Sequence, residues 1–178
     1  MPFTFSICPI SGLFEIQPKV IGDNRGYFME SYSQKNYEEA GIAATFVQDN
    51  QSSSVKGVLR GLHYQKKRPQ GKLVRAIEGE IFDVAVDIRP RSPTCGQWYA
   101  VILTGKKQNQ FYIPEGFAHG YLVLSDTALV AYKCTDFYNP EDEKGIIWND
   151  PDICIKWPDI GMEYILSDKD KAYPEFNQ

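Results

Sequence analysis

The chain has 178 residues, 43% of them hydrophobic and 24% charged, with a formal net charge of −4. That length and apolar content suit one domain, residues 1–178, with a full core, and the interspersed charges leave no basic stripe to draw in nucleic acid. No window is apolar for long enough to cross a bilayer, and Met1-Pro2-Phe3-Thr4-Phe5 lacks the charged-then-apolar layout of a secretory leader, so the expectation is a cytoplasmic protein with no membrane partner.

The first regular element expected is a short helix over residues 33–40, opened by Ser33 as a cap and closed by Gly41. Strand-like runs follow. One spans residues 57–65, and the clearest others are residues 73–78, 81–88, 98–103, 110–113, 120–124 and 128–135, several alternating apolar and polar with a period of two. Glu78-Gly79-Glu80 reads as a hairpin turn between two of them. A helical turn is expected over residues 167–172, with Ser167 as its cap and Asp168 in the first turn. Many short antiparallel strands in one domain without repeats predict a mainly all-β fold, a double-sheet jelly roll or a closed barrel with a few short helices. An immunoglobulin-like sandwich ranks second, because its Cys-Trp-Cys spacing is absent. The four cysteines, Cys8, Cys95, Cys134 and Cys154, show no CxxC spacing and read as reduced, mostly buried thiols rather than disulfides or zinc ligands.

The chain has two histidines, and both are glycine-flanked: His63 in Arg60-Gly61-Leu62-His63 and His119 in Gly116-Phe117-Ala118-His119-Gly120. Strict alternation would send Arg60 and His63 to opposite faces of a strand. Gly61 between them is the natural place for a bulge that aims both into one cavity. Pro114-x-Gly116-x-x-His119 resembles the second motif of the cupin jelly rolls, which implies a cupin-like double-stranded β-helix. The first cupin motif needs His-x-His, whereas His63-Tyr64-Gln65 supplies one imidazole. Two histidines cannot build the usual three-histidine site, so no metal is expected and the cavity is left to proton transfer.

A more specific resemblance runs in order from near residue 16 to residue 170. It is carried by Gly22-Asp23-Asn24-Arg25-Gly26-Tyr27-Phe28-Met29-Glu30, Phe46-Val47-Gln48-Asp49-Asn50, residues 58–65, Gln70-Gly71-Lys72-Leu73-Val74-Arg75, residues 82–89, residues 113–120, Tyr132-Lys133-Cys134-Thr135 and Leu166-Ser167-Asp168-Lys169-Asp170. In these segments the chain resembles the dTDP-4-dehydrorhamnose 3,5-epimerases, which invert two carbons beside the ketone of a 4-keto-6-deoxy sugar nucleotide without a cofactor. The resemblance implies His63 as base, Asp170 as its dyad partner, Tyr132 as proton donor and Lys72 beside the enolate oxygen, with Asp83 positioning that lysine. It further implies Arg25, Arg60 and Lys169 on the diphosphate, Tyr138 stacked on thymine, and Glu30, Gln48, Asn50, His119 and Glu143 as polar contacts to sugar or nucleotide. A homodimer follows from the same likeness, with the region from Arg25 to Glu30 near the partner's cavity.

Each of these residues also has a plainer reading. Tyr132 in Val130-Ala131-Tyr132-Lys133 suits a core strand aromatic, Tyr138 a cover over the mouth, Lys72 a surface charge and Asp168-Lys169-Asp170 a solvated helix start. A metal-dependent cupin oxygenase is disfavoured by the histidine count. A non-catalytic sugar-nucleotide binder would not need base, acid and enolate stabiliser together.

Overall fold

Alternation of apolar and polar residues decides most of this architecture, because each strand must bury one face. In the computed structural model, which describes residues 2–176, thirteen strands and two short helices form. The first sheet contains β1 (Phe3–Ile7), β2 (Phe14–Pro18), β5 (Gln48–Val55), β7 (Lys72–Glu78), β10 (Gln110–Ile113) and β12 (Thr127–Cys134), in the order β1-β2-β10-β7-β12-β5. The second contains β6 (Leu59–Gln65), β8 (Glu80–Asp87), β9 (Trp98–Thr104), β11 (Phe117–Val123) and β13 (Glu143–Gly145), in the order β13-β6-β11-β8-β9. A separate hairpin joins β3 (Ile21–Asp23) to β4 (Gly26–Phe28). The pairing between these strands is antiparallel, and the result is the double-sheet jelly roll expected of the sequence rather than the closed barrel.

Between the sheets, Leu13, Val74, Phe111 and Val130 from one side meet Ile81, Leu103, Tyr121 and Val123 from the other, all buried. β11 is buried at every position, as suits a strand covered on both faces. The apolar filling stops at β5, which turns Gln48, Asn50 and Ser52 toward the interior. A second cluster, Phe3, Ile16, Tyr37, Ile42, Leu73 and Tyr112, seats α1 (Gln34–Glu39) against the first sheet. The buried Tyr37 hydroxyl donates to Gln110 Oε1 at 2.6 Å.

Several expectations need correction. Glu78-Gly79-Glu80 is not a hairpin turn: β7 and β8 belong to different sheets, so this is the corner where the chain crosses between layers. Gly79 has φ +77°, and a Cβ there would stand 2.1 Å from the Thr127 carbonyl oxygen. Ser33 does not cap α1 with its side chain but accepts from Asn36 Nδ2 at 2.7 Å; Gly41, at φ +91°, follows the helix as expected. Ser167 does cap α2 (Asp168–Lys171), its Oγ accepting from the Asp170 amide. All four cysteines are free, yet burial holds only for Cys8 and Cys134, because Cys95 and Cys154 sit on connections outside the sheets, Cys154 exposed.

Candidate active site

The bulge forms where Gly61 allows it. β6 and β11 pair His63 with His119 and Arg60 with Tyr121, so Gly61 and Leu62 together oppose Gly120 alone. Both glycines are required by close backbone approach: a Cβ on Gly61, at φ +128°, would lie 2.5 Å from Gly120 Cα, and one on Gly120 would lie 2.7 Å from the Arg60 carbonyl oxygen. The shift brings Arg60 and His63 to the same cleft, as the sequence suggested.

That cleft, about 380 Å³, opens between the sheets. The first sheet contributes Gln48, Asn50 and Ser52 from β5, Lys72 from β7 and Tyr132 from β12, while the second contributes Arg60, His63, Tyr64 and Gln65 from β6, His119 and Tyr121 from β11 and Glu143 from β13. Gln70 and Tyr138 complete the wall from connecting segments. Ser52, Gln65 and Tyr121 were not anticipated, though the period of two carries the signal: each lies two residues beyond a residue that was, namely Asn50, His63 and His119. Tyr64 and Gln70 carry no such signal.

His63 Nε2 lies 2.5 Å from Asp170 Oδ1, with the imidazole 29% exposed and the carboxylate 6%. A carboxylate accepts, so Nε2 carries a proton, and in the neutral form of the ring the lone pair belongs to Nδ1. Ser167 Oγ donates to the other oxygen, Asp170 Oδ2, at 2.8 Å. Burial raises the Asp170 carboxyl, and the hydrogen bonds from His63 and Ser167 outweigh it, holding the group below its ordinary value.

His119, almost wholly buried, directs Nε2 to both oxygens of Asp83, at 3.1 and 3.0 Å. Burial lowers its pKa beyond what Asp83 restores, with Lys72 and His63 pushing the same way, so the imidazole is neutral near pH 7. Lys72 is half-buried and has no ion-pair partner among the described residues. Burial lowers its ammonium pKa against the pull of Cys134, Asp83 and Glu143. Burial pushes the Tyr132 phenol up to about 12, helped by Cys134 and Tyr121 and opposed by Arg60. At the mouth, Tyr138 donates to Glu143 Oε2 at 2.5 Å, and Lys169 pairs with the same oxygen. Burial raises the Glu143 carboxyl, and the bonds from Lys169 and Tyr138 bring it below its usual range.

Two predicted contacts lie elsewhere. Arg25 and Glu30 are exposed, and Arg25 is paired to Asp23 at 2.6 Å on the β3–β4 hairpin, whose strands pair only with each other. Within one chain they do not reach the cleft. Asp170 and Lys169 sit just behind its wall, joined to it through His63 and Glu143.

A family model described as dTDP-4-dehydrorhamnose 3,5-epimerase matches residues 8–178. The dTDP-4-dehydrorhamnose 3,5-epimerase of Pseudomonas aeruginosa is 56% identical over 165 residues, 92% of this chain and 90% of that protein. Among solved structures, dTDP-6-deoxy-D-glucose-3,5-epimerase RmlC from Legionella pneumophila Philadelphia 1, in complex with dTDP-4-keto-L-rhamnose, superposes with a TM-score of 0.94 at 55% identity, covering 97% of this chain and 92% of that one. ChmJ, a 3'-monoepimerase from Streptomyces bikiniensis solved with dTDP-quinovose, matches with a TM-score of 0.88 at 33% identity, covering 94% and 85%. Fold and cleft together define a jelly-roll isomerase of the nucleotide-sugar class. The chain belongs to the dTDP-4-dehydrorhamnose 3,5-epimerase family.

Proposed function

We propose that the protein inverts C3 and C5 of dTDP-4-dehydro-6-deoxy-D-glucose, giving dTDP-4-dehydro-L-rhamnose. The observation that carries this reading is an imidazole on the second sheet, backed by the Asp170 carboxylate of α2, opposed to a phenol on the first sheet across one cleft. Inversion at a carbon beside a ketone needs just that opposition: a base on one face and a proton donor on the other.

His63 Nδ1 removes the proton at C3 or C5, and the C–H electron pair moves into the ring toward the ketone oxygen. Asp170 holds Nε2–H and stabilises the imidazolium as it forms. Lys72, with no partner of its own, faces the enolate oxygen and offsets its charge. Tyr132, kept protonated by its high pKa, returns a proton from the opposite face. Neutral His119, locked to Asp83, contacts the sugar, while Arg60 takes the diphosphate through its planar fork. Gln48 and Asn50, bonded to each other at 3.0 Å, and the Tyr138–Glu143–Lys169 group at the mouth hold the rest of the nucleotide. No step calls for a metal or a nicotinamide cofactor.

The working form is a homodimer in the cytoplasm. The β3–β4 hairpin supports the dimer, since Ile21, Tyr27 and Phe28 are 57%, 58% and 70% exposed, an apolar surface that a second copy would cover. In that arrangement Arg25 and Glu30 approach the partner's cleft. The likeness to ChmJ favours one competing reading, inversion at a single centre. Incubation of the 4-keto sugar nucleotide in heavy water, with deuterium located by NMR, decides between them. Label at both C3 and C5 is expected; label at one demotes the protein to a mono-epimerase, and label at neither refutes the epimerase reading.

A further inference from the structure

Asp170 fixes one atom of His63, and a single hydrogen bond leaves the ring free to swing about the Nε2–Oδ1 line. Something else must set the plane of the imidazole. β13 lies beside β6 with Gly145 opposite His63. Tyr173, three residues beyond Asp170, lays its ring flat on Gly145: a Cβ there would stand 2.5 Å from three ring carbons. The same ring meets the His63 imidazole edge-on, with centroids 5.6 Å apart and planes at 67°. Its hydroxyl is buried near Lys169, whose ammonium already pairs with Glu143, and it is the ring that touches both Gly145 and His63. The backbone around it is fastened to the loop after β13, the Pro174 carbonyl accepting from Ile147 at 2.9 Å and the Phe176 amide donating to Asp150 at 2.6 Å.

We infer that Tyr173 is a positioning residue, its ring holding the His63 imidazole in the plane that aims Nδ1 into the cleft, with Gly145 required so that the ring can seat. This deepens the epimerase reading and rests on it. One segment, residues 167–176, thereby supplies both restraints on the base: the carboxylate that fixes its tautomer and the aromatic edge that fixes its orientation. A base misaimed by an ångström loses much of the advantage of being positioned. The charged groups facing His63 are Asp170, Glu143 and Lys169 at its rear and mouth and Lys72 across the cleft, with neutral His119 beside it on the same sheet, and Tyr173 carries no charge near neutral pH because burial raises its phenol further.

The chain has only two histidines, so ¹⁵N spectra of the imidazoles are assigned by comparison with His63→Asn. In the wild type and in Tyr173→Phe, His63 is expected to keep the Nε2–H tautomer on a rigid ring, with a high Cε1–H order parameter. In Tyr173→Leu, and in Gly145→Ala, which pushes the ring off its seat, the same tautomer should persist on a ring that swings, read as a fall in the His63 Cε1–H order parameter, and kcat for deuterium exchange should fall about ten- to a hundredfold with KM within about twofold. An unchanged His63 order parameter in both Tyr173→Leu and Gly145→Ala overturns the inference, as does a Tyr173→Phe protein as impaired as Tyr173→Leu. The order parameter does not depend on turnover: a loosened ring with undiminished exchange would uphold the positioning and sink His63 as the base.

Discussion

Tyr132→Phe removes one hydroxyl and nothing else from the wall of the cleft. The ring continues to pack on the inner core beside Val130. No side-chain hydrogen bond holds the hydroxyl among the described residues, so its loss strands no partner and should change stability by less than about 1 kcal/mol. A general acid contributes about 10²- to 10⁴-fold, or about 3 to 5 kcal/mol of barrier, so the catalytic loss far exceeds the folding effect. The base on the opposite sheet is untouched. The variant should therefore still exchange deuterium from one face while forming inverted product about 10²- to 10⁴-fold more slowly. His63→Ala should lose exchange and inversion together, because unpositioned water is a much weaker base. The assay follows deuterium content and product stereochemistry in the same NMR samples, with circular dichroism confirming the fold. Inversion of both centres by Tyr132→Phe at the wild-type rate would refute the assignment and move attention to Tyr138.

Asp170→Asn should lower activity by about 10²- to 10⁴-fold through loss of the fixed tautomer. Because the Asp170 carboxyl is held below its unfolded value of about 3.9, its stabilising contribution is present above that pH and is lost as pH falls through the lower folded value. Acid titration of Tm should accordingly show the wild type losing more stability below about pH 4 than Asp170→Asn does, and parallel curves would contradict the coupling. Lys72→Met replaces a half-buried ammonium, whose pKa burial has lowered, by an apolar chain of similar length; Tm should rise by about 2–4 °C while turnover falls at least about a hundredfold, and retained turnover would remove Lys72 from the chemistry. Light scattering should give a dimer mass for the wild type and a monomer mass for Tyr27→Ser/Phe28→Ser; a wild-type monomer with full activity would end the dimer model.

Much of the architecture is legible in the chain because period-two alternation and turn residues act locally. β8, β9, β10 and β12 fall close to where alternation puts them, and Ser167 announces the start of α2 through a capping bond made within three residues. β5 escapes that reading. Its sequence, Gln48-Asp49-Asn50-Gln51-Ser52-Ser53-Ser54-Val55, has polar residues on both faces, because one lines the cleft and the other is largely exposed, and an apolar pattern has nothing to mark. β1 and β2 alternate legibly in Phe3-Thr4-Phe5-Ser6-Ile7 and Phe14-Glu15-Ile16-Gln17-Pro18, yet without a partner in view neither run was read as a strand.

The site divides along the same line. The sequence by itself carries the residue types, the ordered motifs, the two-histidine limit and the glycine at which a bulge must fall, since these are properties of neighbours along the chain. Tertiary structure alone decides that Glu78-Gly79-Glu80 is a corner between sheets, that Asp170 crosses 107 residues to reach His63, and that Tyr173 lies against both Gly145 and the base. It also decides that Arg25 and Glu30 stand apart from the cleft of their own chain. The physical reason is that hydrogen bonds and ring contacts act over a few ångströms of space, and only the packing of the two sheets determines which distant residues come within that range.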